Sequence, residues 1–195
     1  GWHKISGLGD VLIAATPRGI CFTGLTVAGK RTRAESRLHD YFPAAHITKD
    51  ADTTAPYAAG IEGMYTQREK RDALPSRRKP GSRFNSNQVC TPACAGVAPG
   101  LFSPLPLDLY GTAFQLRVWR ALLDIPFGKT VSYHDVARAI KRETAPRAVG
   151  GAVGDNPVSI LVPCQRVIQS NGDITNYGWG TPHKRTLLTM EGIAA

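Results

Sequence analysis

Residues that typically begin helices are concentrated in the last third of the chain, and they constrain its fold more than any other feature. Thr112 is placed to cap a helix, and Ser132 is placed to cap a second one over 133–140. Pro146 suits the first position of a third helix, over 147–153, because the N–H that proline lacks has no helical partner there. The last two helices, joined by a short polar turn, predict a helix-turn-helix.

The third of these helices is unusual because it is built almost entirely of alanine, valine and glycine. Gly150 and Gly151 each destabilise a helix by about 1 kcal/mol relative to alanine. They indicate either close packing against a neighbouring element or entry of the helix into a narrow nucleic-acid groove. Arg147 at the helix start opposes the helix dipole, which favours a ligand-facing role for its side chain.

Apolar spacing elsewhere predicts a small sheet followed by helices. The predicted elements are strands at 11–15 and 20–22, helices at 31–42 and 53–63, and a helix after Thr112 that carries Phe114, Val118, Trp119, Leu122 and Leu123 at helical spacing. We therefore expect an α/β (α+β) fold. It consists of a small sheet-containing N-terminal domain (1–63) and a mostly helical C-terminal domain (104–195) with a plain or winged-helix-like helix-turn-helix.

Residues 64–103 differ in composition from both flanks. Pro, Gly, Ser and Arg dominate, and seven basic residues stand against two acidic ones. We interpret this stretch as an irregular basic insertion, either a solvated linker or a source of phosphate contacts. Cys90 and Cys94 have no histidine near them in the sequence, so we expect no metal site.

Composition excludes several classes of protein. A hydrophobic content of 42% excludes a disordered or collagen-like chain, and the net charge of +9 favours polyanionic partners. No apolar run is long enough for a membrane span, and the first residues lack the order of a signal peptide, so no membrane partner is expected. Four scattered cysteines indicate free thiols in a reducing compartment.

One of these cysteines follows a buried apolar segment directly. Residues 158–162 are typical of a short buried strand, and Pro163 holds Cys164 at its end. A buried cysteine is more often a small apolar side chain than a nucleophile. To react, it needs a base, a positive charge or a helix N-terminus that favours the thiolate.

The surrounding segment, NPVSILVPCQRVIQSNGDITNYGWG, closely resembles the active-site segment of the O6-alkylguanine-DNA alkyltransferases, including the C-terminal part of the Ada proteins. The resemblance covers nearly all of 105–192, through LPLDLYGTAFQLRVWRALLDIPFGKTVSYHDVA, RAVGGAVGDNP and LLTMEG. Residues 8–63 resemble the smaller N-terminal domain of that family more loosely. Residues 64–103 match no part of it.

The resemblance implies a DNA-repair reaction that consumes the protein. The helix-turn-helix would bind double-stranded DNA in the minor groove, and the alkylated guanine would be flipped out of the stack. Its alkyl group would then move irreversibly onto Cys164, with O4-alkylthymine as an alternative substrate. Thiolate attack on an alkyl carbon requires no cofactor or metal, so none is expected. The family also implies a monomer in the cytoplasm (the bacterial nucleoid) or the nucleus.

Motif positions imply a role for each site residue. Cys164 would accept the alkyl group, Tyr133 would assist flipping and proton donation, and Arg147 would fill the gap left by the base. The implied catalytic set is Cys164, Gln165, Glu191, Asn156 and Tyr133, with Glu191 as a buried carboxylate and Asn156 as a brace for the loop. The implied DNA-binding set is Arg147, Tyr133, Ala148, Gly150, Gly151 and Arg166. The implied substrate pocket is formed by Tyr177, Gly178, Trp179 and Val167.

Two departures from the family pattern bear on activity. Gln165 stands where the family usually has a histidine that draws off the thiol proton, and glutamine cannot accept a proton. Gly178 stands where Ada-type relatives usually carry arginine, in YRWG. We therefore expect slower transfer than in the family at large.

Three alternatives stay open from the sequence. The first is a non-enzymatic binder of alkylated DNA, which Gln165 favours and the retained Cys164 opposes. The second is a fragment of an Ada-type transcriptional regulator. The third is a thiol hydrolase, for which His183 is the only histidine after Cys164 and lies in no recognisable arrangement.

Replacing Gln165 with histidine is expected to raise the rate of alkyl transfer. An unassisted thiol, with a pKa of about 8.5, is only a few per cent thiolate at neutral pH, and histidine restores the missing base. Single-turnover assays of Gln165→His against the wild type measure the effect. An unchanged or lower rate would contradict this account of the glutamine.

Overall fold

The computed structural model describes residues 1–66 and 105–194. Most of the predicted insertion at 64–103, including Cys90 and Cys94, lies outside the described residues. The helix predicted at 53–63 continues through Thr66, three residues into the predicted insertion. Within the described ranges, none of the helices is long and apolar enough to cross a membrane.

The N-terminal part contains a three-stranded antiparallel sheet in the spatial order β1 (Trp2–Ile5), β2 (Gly9–Thr16), β3 (Gly19–Leu25). The predictions of β2 and β3 are confirmed, whereas β1 is too short and too mixed in polarity to be recognised from sequence. Gly19 opens β3 with φ of 146°. A Cβ there would lie 2.5 Å from the carbonyl oxygen of Pro106, so only glycine fits.

Six helices and a second, very small sheet complete the described residues. The helices are α1 (Thr32–Tyr41), α2 (Ala55–Thr66), α3 (Ala113–Leu123), α4 (Tyr133–Ala139), α5 (Pro146–Gly154) and α6 (Thr181–Met190). The second sheet pairs β4 (Val131–Ser132) in parallel with β5 (Val167–Ile168). All the predicted helices are present, and α6 is the helix that sequence reasoning missed. Whether α4 and α5 act as a helix-turn-helix on DNA stays a prediction.

Local capping chemistry explains why α3 and α4 begin where predicted. Thr112 and Ser132 each accept a hydrogen bond from the backbone N–H three residues later. The side chains of Gln115 and Asp135 accept in return from the capping backbone N–H groups, which completes a capping box in both cases. Leu123 ends α3 on the solvent side and is 44% exposed.

Strand β3 joins the two parts of the chain. Every residue of β3 is buried, and its free edge pairs with backbone from the C-terminal part. Ile20 donates to the carbonyl of Pro106 at 2.8 Å, and Thr23 donates to the carbonyl of Pro157 at 2.9 Å. One hydrophobic core therefore includes side chains from both parts. The division into a 1–63 and a 104–195 domain stays a proposal about folding units.

The strand predicted at 158–162 is wrong, although all five residues are buried as expected. Val158 makes a single bridge with Thr23, and Ile160 then has φ of 79°, which no strand adopts. Asn156 braces the resulting turn by donating to the carbonyl of Val162 at 2.8 Å and accepting from the N–H of Val158 at 3.0 Å. Side-chain hydrogen bonds replace the strand ladder here.

Removing the cap of α4 is expected to destabilise the protein measurably. Ser132→Ala deletes the side-chain bond to the N–H of Asp135 and lowers the free energy of unfolding by about 1 kcal/mol. Ser132→Thr keeps the hydroxyl and is the matched control. Urea unfolding measures both variants, and equal stability of the alanine and threonine variants would contradict the role of the cap.

Candidate active site

Cys164 lies at a cleft between the two parts of the chain. It opens a 3-10 turn (Cys164–Arg166) directly after Pro163 and is 5% exposed. The lining of this cleft includes Arg37, Tyr133, Ser159, Tyr177, Gly178 and Trp179. Three of the four predicted pocket residues therefore surround Cys164. Val167 is a correction, because it lies in β5 with its side chain fully buried in the core.

Two hydroxyl groups flank the sulfur of Cys164. The Oγ of Ser159 and the Oη of Tyr177 each lie 3.9 Å from Sγ. The indole N–H of Trp179 donates to Ser159 Oγ at 2.7 Å, which leaves the proton of that hydroxyl available to the sulfur. When the sulfur is ionised, both hydroxyls can donate a hydrogen bond to it. Sequence reasoning missed Ser159, whose one signal is a polar residue inside an apolar run.

The two tyrosines of the cleft keep their protons at neutral pH. Burial raises the pKa of Tyr177 well above its usual value, and the neighbouring Cys164 raises it further. Burial likewise raises the pKa of Tyr133, which is half-buried at the first position of α4. The ring of Tyr133 lies 3.8 Å from the point where a Cβ of Gly150 would be. This distance is an ordinary van der Waals contact, so close packing does not require glycine at position 150.

A buried carboxylate holds the active-site turn in place. Glu191 Oε1 accepts from Gln165 Nε2 at 2.9 Å, and its Oε2 accepts from Arg166 Nε at 2.6 Å. Arg166 also donates to the carbonyl of Ile125 at 2.7 Å and is only 7% exposed. The buried position expected for Glu191 is confirmed. The DNA contact expected of Arg166 is wrong, because its guanidinium points inward and is held by Glu191 and Ile125.

Gln165 presents an unpaired acceptor in this buried network. Its side chain is fully buried, and its Oε1 has no hydrogen-bond partner among the described residues. With Nε2 held by Glu191, the amide oxygen can accept a hydrogen bond but cannot take up a proton. Assistance to the thiolate must then come from groups other than a base at this position.

The exposed face of α5 carries small residues and one charged side chain, that of Arg147. Arg147 and Ala148 are exposed, and no atom lies within 4 Å of where a Cβ of Gly151 would be. The opposite face is buried through Val149, Ala152 and Val153. The structure therefore leaves the exposed face free for a narrow groove, while contact of Arg147, Ala148, Gly150 or Gly151 with DNA stays a prediction.

Arg37 is the second cleft residue that sequence reasoning missed. It is half-buried on α1, more than a hundred positions before Cys164 in the chain. Nothing in its local sequence signals a site, since an arginine on an amphipathic helix is ordinarily a solvated side chain. Only the packing of α1 against the C-terminal part brings it to the cleft. Among the described residues, no three His, Cys, Asp or Glu side chains gather as metal ligands.

The C-terminal part matches a known sequence family. A profile described as "6-O-methylguanine DNA methyltransferase, DNA binding domain" matches residues 113–193. This range contains the capped helices, Cys164 and Glu191.

Whole-chain comparisons point the same way. The inducible methylated-DNA–protein-cysteine methyltransferase of Bacillus subtilis is 35% identical over 94% of this chain and 84% of its own length. The bifunctional transcriptional activator and DNA repair enzyme Ada of Escherichia coli is also 35% identical over 94% of this chain, but over 43% of its own length. A crystal structure of Mycobacterium tuberculosis OGT in complex with DNA superposes with a TM-score of 0.57 at 30% identity, covering 98% of this chain and 92% of that one.

Neutralising Glu191 is expected to destabilise the protein strongly. Glu191→Gln leaves the buried guanidinium of Arg166 without its counter-charge and lowers the free energy of unfolding by about 3–5 kcal/mol. Asp10→Asn is the matched control, since it removes one partner of the exposed pair with Arg31 and costs less than about 1 kcal/mol. Urea unfolding compares the two, and similar losses would contradict a structural role for the buried pair.

Proposed function

The chain belongs to the family of methylated-DNA–protein-cysteine methyltransferases, which are DNA-repair enzymes, and we propose on that premise how its own residues carry the reaction. Cys164 takes a methyl or larger alkyl group from O6-alkylguanine in double-stranded DNA. The transfer is stoichiometric and irreversible. The observation that carries the proposal is the position of Cys164 in a cleft, with two hydroxyls at 3.9 Å from its sulfur.

The chemistry follows from the groups around the sulfur. The thiolate of Cys164 attacks the alkyl carbon, an S–C bond forms, and the bond from carbon to O6 of guanine breaks. The hydroxyls of Ser159 and Tyr177 stabilise the thiolate, a role that partly compensates for the absence of a base at Gln165. In this proposal Tyr133, whose pKa is raised by burial, retains its proton and donates it to the departing guanine.

Access to the damaged base requires the DNA to be deformed. O6 of guanine lies inside the base pair, so the nucleotide must leave the stack before its alkyl group can meet Cys164. The exposed face of α5 binds the duplex in this proposal, and Arg147 occupies the place of the flipped base. The protein acts as a monomer, and its net charge of +9 adds affinity for the phosphate backbone.

The proposal is tested by mass spectrometry after mixing the full chain with a duplex that contains one O6-methylguanine. We expect one methyl group per protein, located by peptide mapping on Cys164, and none in Cys164→Ala. Cys21→Ala is the matched control and should still accept one methyl. Cys21 is also a buried free thiol, but burial raises its pKa to about 11 and keeps it protonated.

Two outcomes would contradict the proposal. A methyl group that maps to another cysteine would remove Cys164 from its role. Binding to the lesion duplex without any gain in mass would place this member of the family among proteins that recognise alkylated DNA without repairing it.

A further inference from the structure

The guanidinium of Arg37 is held firmly at the cleft by residues from both parts of the chain. Its Nη2 donates to the carbonyl of Gly154, at the end of α5, at 3.1 Å and to Tyr41 Oη at 3.2 Å. Its Cζ lies 4.8 Å from the ring centre of Trp179, over the face of the indole. Tyr41 in turn donates to the carbonyl of Asp155. These contacts fix a positive charge beside the cleft that contains Cys164.

Gly178 lies directly beside the guanidinium of Arg37. A Cβ at Gly178 would lie 2.9 Å from Nη1 of Arg37, closer than real Cβ contacts allow. Ada-type relatives usually carry arginine at this position of the YRWG motif. A side chain at 178 would therefore require the flexible end of Arg37 to move from its present position. The chain therefore has no cation at position 178 itself, but the guanidinium of Arg37, from α1, lies beside that position.

We infer that Arg37 supplies the positive charge of the alkyl-acceptor cleft, in place of an arginine at position 178, and that this charge accelerates alkyl transfer. The inference rests on the proposed role of Cys164 as the acceptor. It adds to the reaction a residue from the N-terminal part of the chain, outside the segment that contains every motif residue of the site.

The charge balance of the reaction explains why a cation here is useful. The Cys164 thiol first loses its proton to solvent, and the thiolate attacks the alkyl carbon. As the S–C bond forms, the electron pair of the carbon–O6 bond goes to guanine, which then takes up a proton. One negative charge thus moves from the sulfur to the base inside the cleft. A fixed cation that lines the cleft stabilises this charge during the transfer.

The field of Arg37 reaches the group that contacts the sulfur. Burial raises the pKa of Tyr177, and the positive charge of Arg37 acts in the opposite direction on the same hydroxyl. That hydroxyl lies 3.9 Å from Sγ of Cys164. Arg37 therefore acts electrostatically on a hydroxyl that contacts the sulfur.

The test measures single-turnover transfer at saturating duplex that contains one O6-methylguanine, and again with the free O6-methylguanine nucleoside. Arg37→Ala is expected to lower both rates about tenfold, which corresponds to the loss of one charge interaction in the transition state. Arg37→Lys should retain part of the rate because it keeps the charge. The double variant Arg37→Ala with Gly178→Arg should recover most of the rate, because it returns a cation to the same space.

Two further comparisons separate the electrostatic effect of Arg37 on the transfer rate from a loss of stability and from a loss of DNA affinity. Arg37→Met keeps the length and the apolar contact with Trp179 but removes the charge, so it should be as slow as the alanine variant while urea unfolding shows near wild-type stability. The nucleoside has no phosphate, so a loss of rate confined to the duplex would make Arg37 a phosphate contact and overturn the inference.

The remaining outcomes distinguish this inference from the proposed function. Normal rates in Arg37→Met, or a double variant as slow as Arg37→Ala, overturn the inference and leave Cys164 as the acceptor. A wild-type protein that gains no methyl group overturns the proposed function, and the inference falls with it.

Discussion

The rest of the site depends on the two contacts that the buried carboxylate of Glu191 makes, an ion pair with Arg166 and a hydrogen bond from Gln165. An ionised carboxylate is stable in an apolar interior only when other groups compensate its charge. Arg166 supplies the charge, and Gln165 supplies a second hydrogen bond. Because these two residues directly follow Cys164, the carboxylate after α6 fixes the turn that carries the nucleophile. Arg166 extends the link to the carbonyl of Ile125 after α3.

The cleft is assembled from distant parts of the chain, and β3 is the element that brings them together. Its free edge pairs with the C-terminal part at two points, Ile20 with Leu107 and Thr23 with Val158. The hydroxyl of Thr23 also donates to the carbonyl of Ser159. Phe22 packs edge-on against Trp179, whose indole N–H orients the hydroxyl of Ser159. The N-terminal part is therefore more than a support, since its packing positions a hydroxyl and a cation beside Cys164.

The replacement of the family's histidine by Gln165 changes the way in which the thiolate is favoured. A histidine acts as a base, whereas the amide of Gln165 can only donate to Glu191 and accept through an oxygen that is unpaired among the described residues. The hydroxyls of Ser159 and Tyr177 and the positive charge of Arg37 can stabilise an anion in the cleft without taking up its proton.

The sequence by itself determined the features that depend on local chemistry. The caps at Thr112 and Ser132 and the helices that they start follow from neighbours three residues apart, and the motif around Cys164 identified the family. Tertiary structure alone decided which side chains face the cleft. Arg166 and Val167 are adjacent to Cys164 in the chain yet point into the core. The apolar run at 158–162 shows no periodicity by which a buried strand could be distinguished from a buried turn. Arg37 and Ser159 reach the cleft only because the two parts of the chain share one core, and local sequence contains no record of such long-range packing.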